Sequence, residues 1–242
     1  MKTLLYCSLL ALIFSCNKAE TEVDAPSPDF PDYADWHVIQ SPVDRIIVGV
    51  WGDYDKTMLI STMFQLFRST DRGKTWQQVV EQQLGLFSVV VYLDTLFTMT
   101  TRVGESALAS ADKFSVDDGQ TWQLYRGRNP VFEPNGGPNQ PFPINPVTAA
   151  NGTSYRINRV FLDGPTATVG TFETPGVITG IERRIDLPQL HQLQSLYLDA
   201  KQRLYITATD AVCGRGDSGQ PFSFCNSKGG RGVVYISKQP LP

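Results

Sequence analysis

The sequence predicts an all-β fold of small, repeated antiparallel sheets, on three observations. Runs such as "IIVGVWG", "FSVVVYL", "TLFTMTT", "RLYITAT" and "GVVYISK" are short, rich in β-branched and aromatic residues, and bounded by Gly, Asp or Asn. No segment carries a sustained helical period. Finally, "RSTDRGKTWQQV" (68–79) recurs as "FSVDDGQTWQLY" (114–125), sharing Ser-x-Asp-x-Gly-x-Thr-Trp. The two copies lie one repeat apart, in the range of roughly 40 to 50 residues that one four-stranded unit occupies in known arrays.

Each shared residue has a task in a turn. A strand ends at Ser69 or Ser115, and Asp71 or Asp117 then turns the chain by accepting backbone amide protons. Gly73 or Gly119 supplies a left-handed conformation, and Thr75-Trp76 or Thr121-Trp122 opens the returning strand with the indole packed beneath the turn. This motif resembles the Asp-box, or BNR repeat, of the sialidase superfamily, sortilin-like receptors and the photosystem II assembly-factor family. The resemblance implies a β-propeller over residues 34–242 in which the boxes are peripheral and structural. Asp71 and Asp117 are accordingly read as turn formers and refused as a catalytic pair, and Asp53 and Asp55 in "WGDYDK", on the same face, are treated alike.

The elements follow in order, counted from the inner to the outer strand of each blade. The first blade takes 46–52, 57–62, 64–69 and 75–80; the second takes 87–93, 95–101, an undefined strand before Ser115, and 121–126. The third lies between Ile144 and Asp186, around "ANGTSYRI" and "TATVGTF". The last takes 194–199, 203–208 and 232–237 and lacks an outer strand, since "GVVYIS" stops at Ser237 where a box would begin. "ADWHVIQ" places Trp36 where Trp76 and Trp122 stand, so an N-terminal strand is expected to close the ring and remove a free edge. The count is four blades, or five if 126–190 hold another.

Ahead of this domain, "MKTLLYCSLLALIFSC" has a basic start, an apolar run too short to span a bilayer, and Ser15 directly before Cys16. Ile13-Phe14-Ser15-Cys16 resembles a lipobox, which implies a signal peptide over 1–15, cleavage, and a lipid on Cys16; the other reading is an ordinary secretory signal. Residues 16–33 are acidic and Pro-containing and are expected to form an extended tether. Asn17 after the cysteine favours the outer membrane or cell surface by the same resemblance. Removing residues 1–15 takes away Lys2 and no acid, moving the formal charge from -3 to -4, which argues against nucleic acid as a partner. Cys213 and Cys225 are then the remaining pair in an exported chain and are expected to form a disulfide.

The turns joining the first two strands of each blade are tight ("GDYDK", "LDT", "ANG", "DAKQR"), whereas the opposite face receives "TRVGESALASADK", "RGRNPVFEPNGGPNQPFP" and "TDAVCGRGDSGQPFSFCNSKGGRG". Long loops on one end of a rigid scaffold are where binding resides. Arg102, Arg126, Arg128, Arg215, Asp217 and Arg231 mark that candidate ligand face, with Lys228 adding to its basic balance. An anionic ligand such as an acidic sugar suits it, and ordinary solvated loop charges are the competing account.

Two familiar words in "VCGRGDSGQPFSFC" are set aside. Gly216-Asp217-Ser218-Gly219 looks like a trypsin-type nucleophile segment, but only His37 and His191 could serve as base and neither has the expected setting. Arg215-Gly216-Asp217 is an integrin-type tripeptide on a stapled loop, and the plain loop is preferred. A sialidase would need an Arg-Ile-Pro segment, yet Arg45 is followed by Ile46-Ile47-Val48. The favoured expectation is a non-catalytic, surface-anchored module that binds a glycan or protein. The alternatives are a sialidase-like glycoside hydrolase and a scaffold or assembly factor. No motif calls for a metal or a cofactor.

Overall fold

A computed structural model of the chain describes residues 22–24, 32–126, 137–164, 166–214, 223–225 and 230–242. Two short strands, β1 (Glu22–Asp24) and β2 (Trp36–Gln40), precede the first sheet. That sheet runs in sequence order through β3 (Gly49–Gly52), β4 (Met58–Ser61), β5 (Met63–Ser69) and β6 (Thr75–Leu86), with β1 added beyond β6. The second is β7 (Ser88–Tyr92), β8 (Thr95–Val103), β9 (Ala107–Ser115) and β10 (Gln123–Leu124), with β11 (Phe142–Pro143) also on β9. The third is β12 (Val147–Thr148), β13 (Ser154–Phe161), β14 (Phe172–Thr179) and β15 (Arg184–His191). The fourth begins with β16 (Leu193–Leu198) and β17 (Leu204–Ala208); a hairpin of β18 (Val212–Gly214) and β19 (Ser223–Phe224) follows, and β20 (Val233–Ser237) returns to pair with β17. All pairings are antiparallel, and no α-helix occurs among the described residues.

The fourth sheet is completed by β2, the earliest of its strands in the chain. It pairs with β20 from Trp36 opposite Ser237 to Gln40 opposite Val233. The match to the two boxes is one of register. In the first sheet Arg68 faces Gln77, so one step toward the turn brings Ser69 to Trp76; in the second, Phe114 faces Gln123 and the next pair is Ser115 with Trp122. The serine and the tryptophan of the fourth sheet thus stand at box positions while lying about 200 residues apart in the chain. Lys238 donates its amide to the Asp35 carbonyl at 2.9 Å, where a connecting turn would otherwise stand.

Packing explains why several strands show no inside–outside alternation. β4, β17 and β20 are buried at every position because sheets lie against both of their faces, and both sets of side chains must then be apolar or paired. Each indole fills a seam between its own sheet and the one before it. Trp76 packs with Ile39, Val234 and Ile236 of the fourth sheet, Trp122 lies against Leu59 and Leu66 of the first, and Trp36 packs with Tyr155, Val177 and Leu187 of the third. The box glycines approach the same neighbours closely. At Gly73 (φ 78°) an added Cβ would meet Ile39 Cγ2 at 2.7 Å, and at Gly119 (φ 78°) it would meet Leu59 Cδ1 at 2.8 Å. Glycine is therefore required at both positions for conformation and for space.

Several boundaries differ from expectation. The strand expected over 46–52 begins at Gly49, because Ile47 and Val48 donate instead to Ala208 and Ser61 and bridge the fourth and first sheets. The strand expected over 75–80 continues to Leu86 through two register shifts against β5. The outer strand expected over 121–126 contracts to two residues, and β11 takes the rest of the edge by placing Phe142 opposite Leu108. "TRVGESALASADK" is not a long loop: β8 and β9 extend into it and leave only a tight turn at 104–106. Within the stretch read as a tether, Glu22–Asp24 pairs with Thr75–Gln77.

The first strand of each sheet, β3, β7, β12 and β16, contributes to the lining of a cavity of about 370 Å³. At the end where those strands begin, the segment carrying Ile144 lies across it: Ile144 donates to Ser106 of the second sheet and accepts from Leu196 of the fourth, each at 2.8 Å.

Candidate functional site

The two box turns share their hydrogen bonds. Ser69 Oγ donates to Asp71 Oδ1 (2.8 Å) and accepts from the Gly73 amide (2.9 Å), while Asp71 accepts from the amides of Lys74 and Thr75 and from the Thr75 hydroxyl (2.7 Å). In the second turn Ser115 Oγ donates to Asp117 Oδ1 (2.7 Å), and Asp117 accepts from the Thr121 amide (2.9 Å) and hydroxyl (2.5 Å). Trp122 Nε1 reaches the Gly119 carbonyl at 3.0 Å. The hydrogen bonds that these carboxylates accept come from their own turns. The hydrogen bonds from the Thr121 hydroxyl and amide and from Ser115 hold Asp117 down to about 2. Burial pushes Asp71 up, but the Thr75, Ser69 and Lys74 donors outweigh it and the net direction is down. Both carboxylates are held by donors of their own turns.

At the same end, Asp53 and Asp55 belong to an ion cluster that joins the first and fourth sheets. The Arg203 guanidinium spends its fork on three carboxylates: Nε to Asp199 Oδ2 (2.7 Å), Nη1 to Asp55 Oδ2 (2.9 Å) and Nη2 to Asp53 Oδ1 (2.5 Å). Lys201 bridges Asp53 and Asp55 from outside, at 3.2 and 2.8 Å, and Arg72 meets Asp55 at 3.1 Å. Three acids face three bases, so the cluster is neutral and has no carboxylate left over for proton transfer. The Arg203 and Asp199 side chains are only 7% and 1% exposed. The Lys201 hydrogen bond, against burial and aided by Arg203, holds Asp55 at about 2.

Acid should loosen this end of the molecule. Groups whose folded pKa is depressed stabilise the fold above their unfolded value and lose that contribution as pH falls through the folded value. Thermal stability is expected to hold down to about pH 4, the unfolded carboxylate value, and to fall steeply between about pH 4 and 2. Asp117→Asn or Asp71→Ala should lower the melting temperature at neutral pH by the equivalent of about 1 to 3 kcal/mol, because turn amides lose their acceptor. Ligand binding should survive at low temperature. A melting temperature unmoved by either change would contradict the structural assignment.

The loop end carries part of the expected ligand face. Arg102 lies near the end of β8, not in a loop, and is half-buried; its Nη2 crosses to the Gln194 carbonyl of the fourth sheet at 3.0 Å. Its Nε is buried without a hydrogen-bond partner. Arg159 of β13 stands near it, ion-paired with Glu105 and held over the Phe172 ring at 4.7 Å. Burial, and then the neighbouring Arg159 charge, lower the Arg102 pKa, and burial lowers that of Arg159. Sequence reasoning missed Arg159, whose strand was not delimited. Arg126 is exposed at the end of the second sheet, and Arg231 pairs with Asp44 at 2.7 Å. Arg128, Arg215, Asp217 and Lys228, like Cys16, lie outside the described residues.

No protein family, curated protein or solved structure matches this chain. Cys213 and Cys225 form the expected disulfide with Cα atoms 4.9 Å apart, closing the β18–β19 hairpin between β17 and β20. Ser218 lies outside the described residues, and neither histidine is arranged as a base. His191 is 1% exposed, with Nδ1 on the Thr209 carbonyl (3.0 Å) and Nε2 on the Tyr235 hydroxyl (2.9 Å); burial lowers its pKa. His37 stacks on Tyr54 at 4.5 Å. Among the described residues no group of three or more His, Cys, Asp or Glu is placed to hold a metal.

Proposed function

We propose that the four sheets are the blades of a small Asp-box β-propeller, closed by β2, lipid-anchored through Cys16 at the outer membrane or cell surface, and binding an anionic glycan without chemistry. The observation that carries the ligand class is the pair Arg102 and Arg159. Two cations from neighbouring sheets stand at the loop end, and Arg102 keeps a buried, unpartnered Nε–H. A carboxylate or sulfate would supply both the missing acceptor and the missing charge. The turn-bound box carboxylates and the neutral Arg203 cluster support the non-catalytic part of the reading, since neither leaves an acid–base pair for glycoside hydrolysis.

The test is a glycan array probed with the soluble domain, residues 30–242, alongside fluorogenic glycosides. Acidic glycans are expected to bind and their neutral counterparts are not. Arg102→Gln and Arg159→Gln should each weaken binding by about tenfold or more, and no glycoside should turn over. Turnover abolished by a loop-end carboxylate substitution would replace this reading with the glycosidase. Equal binding of neutral glycans would remove the role of the arginines. In the full chain, Cys16→Ser should abolish incorporation of labelled palmitate, and retained label would remove the anchor.

A further inference from the structure

We infer that the central cavity is a second ligand site, separate from the arginine end and opening on the opposite, tight-turn face, and that it takes a neutral, largely apolar, ring-bearing small molecule. The direction of opening follows from exposure along the innermost strands. On β7, Ser88, Val89 and Val90 are 5%, 4% and 9% exposed and Val91 is 44% exposed. On β3, Val50 is buried and Trp51 half-buried; on β12, Val147 is buried and Thr148 exposed; on β16, Ser195 and Leu196 are buried and Tyr197 and Leu198 half-buried. All four strands run toward their tight turns, so the space widens in that one direction.

The other end is shut. The Ile144 segment is bonded to both the second and fourth sheets, Leu108 beneath it is 1% exposed, and Arg102 reaches across to Gln194 outside it. A ligand must therefore enter and leave from the tight-turn face. The Asp53–Arg203 cluster lies at that face but consumes its own charges and contributes no lining residue.

The wall chemistry selects the ligand. No charged side chain lines the cavity. Its surface is mostly Val, Leu and Ile, with Phe142 and Pro143 at the Ile144 end and Trp51 and Tyr197 at the mouth, and among the lining hydroxyls Ser195 is already committed to Val48 and Thr207. Tyr197 is neutral at physiological pH, and burial moves its pKa further up, to about 12. An ion entering this space would lose hydration without a counter-charge, whereas an apolar ring meets aliphatic walls with Trp51, Phe142 and Tyr197 among them. At about 370 Å³ the volume is at the lower end of small-molecule sites, enough for one compact ligand.

The probe is N-phenyl-1-naphthylamine, a neutral two-ring fluorophore, tested against its sulfonated analogue 8-anilinonaphthalene-1-sulfonate on the same folded domain. The neutral probe is expected to bind saturably at one site per chain, with the sulfonate about tenfold weaker or more. Val91→Trp, a substitution at an exposed mouth position, should abolish binding with the melting temperature unchanged. Leu108→Phe, filling the closed end, is the second variant and should weaken binding by a similar factor. Arg102→Gln should leave the probe unaffected, which separates this site from the glycan-binding end. Absence of saturable binding, equal or tighter binding of the sulfonate, or binding unchanged in both filled variants would each overturn the inference.

Discussion

Replacing Arg203 with alanine is expected to destabilise the fold by about 3 to 5 kcal/mol, because it strands carboxylates that only this guanidinium neutralises from inside. Asp199, 1% exposed at its side chain, would keep hydrogen bonds from the Lys201 and Arg203 amides and from Tyr205 but lose its counter-charge. Asp53 and Asp55 would retain Lys201, which is half-exposed and satisfies them through solvent-screened contacts. Arg203→Lys should recover only part of the loss, since one ammonium cannot reach three carboxylates along a planar fork. Urea denaturation of the domain reads the difference directly. A loss below about 1 kcal/mol, the range of exposed pairs, would show that the first and fourth sheets do not depend on this clamp.

Deleting residues 34–40 is expected to do greater damage and to convert a soluble domain into an aggregating one. The deletion removes Trp36 and Ile39 from two core clusters and strips β20 of its outer partner, leaving only β17. β20 is buried at all five positions, so the exposed edge would be both unpaired and apolar. The seam under Gly73 would also open, because Ile39 is what that turn packs against. Size-exclusion chromatography and light scattering check the result. A soluble monomer with unchanged melting temperature would mean that β2 is dispensable.

What could be read in the sequence was what is local. The box turns were legible because Ser69, Asp71, Gly73, Thr75 and Trp76 satisfy one another within a few residues. The pairing of the Trp36 strand with β20 was legible despite its distance along the chain, because the repeat left a tryptophan without a serine and a serine without a tryptophan. The third sheet carried no such mark. Its outer turn is made by Thr179 and Glu182, the latter at φ 62°, with neither the Asp nor the Trp of a box. The stretch after Arg102 reads as a loop because Gly104, Ala107, Ala109, Ser110 and Ala111 are weak strand formers; small residues fit there because β9 lies in a seam, where Ala111 is fully buried. Arg102 thus entered the candidate face through a loop that is largely strand. The Arg203 cluster was hidden for another reason. Two of the three carboxylates that Arg203 holds are about 150 residues away, and no spacing rule connects "GDYDK" with "DAKQR".

The pairing of β2 with β20 also imposes an order on synthesis. The ribosome releases Trp36–Gln40 before any of the four sheets exists, yet their one ladder partner is Val233–Ser237, nearly the last stretch of the domain to emerge. Three sheets can condense from neighbouring hairpins as they appear, but the fourth must wait for a loop of about 190 residues to close. Throughout that interval the nascent chain carries an unpaired strand at one end and, once β17 has formed, an apolar edge at the other. Whatever shields those two segments until they meet governs the yield of folded protein, independently of how stable the finished molecule is.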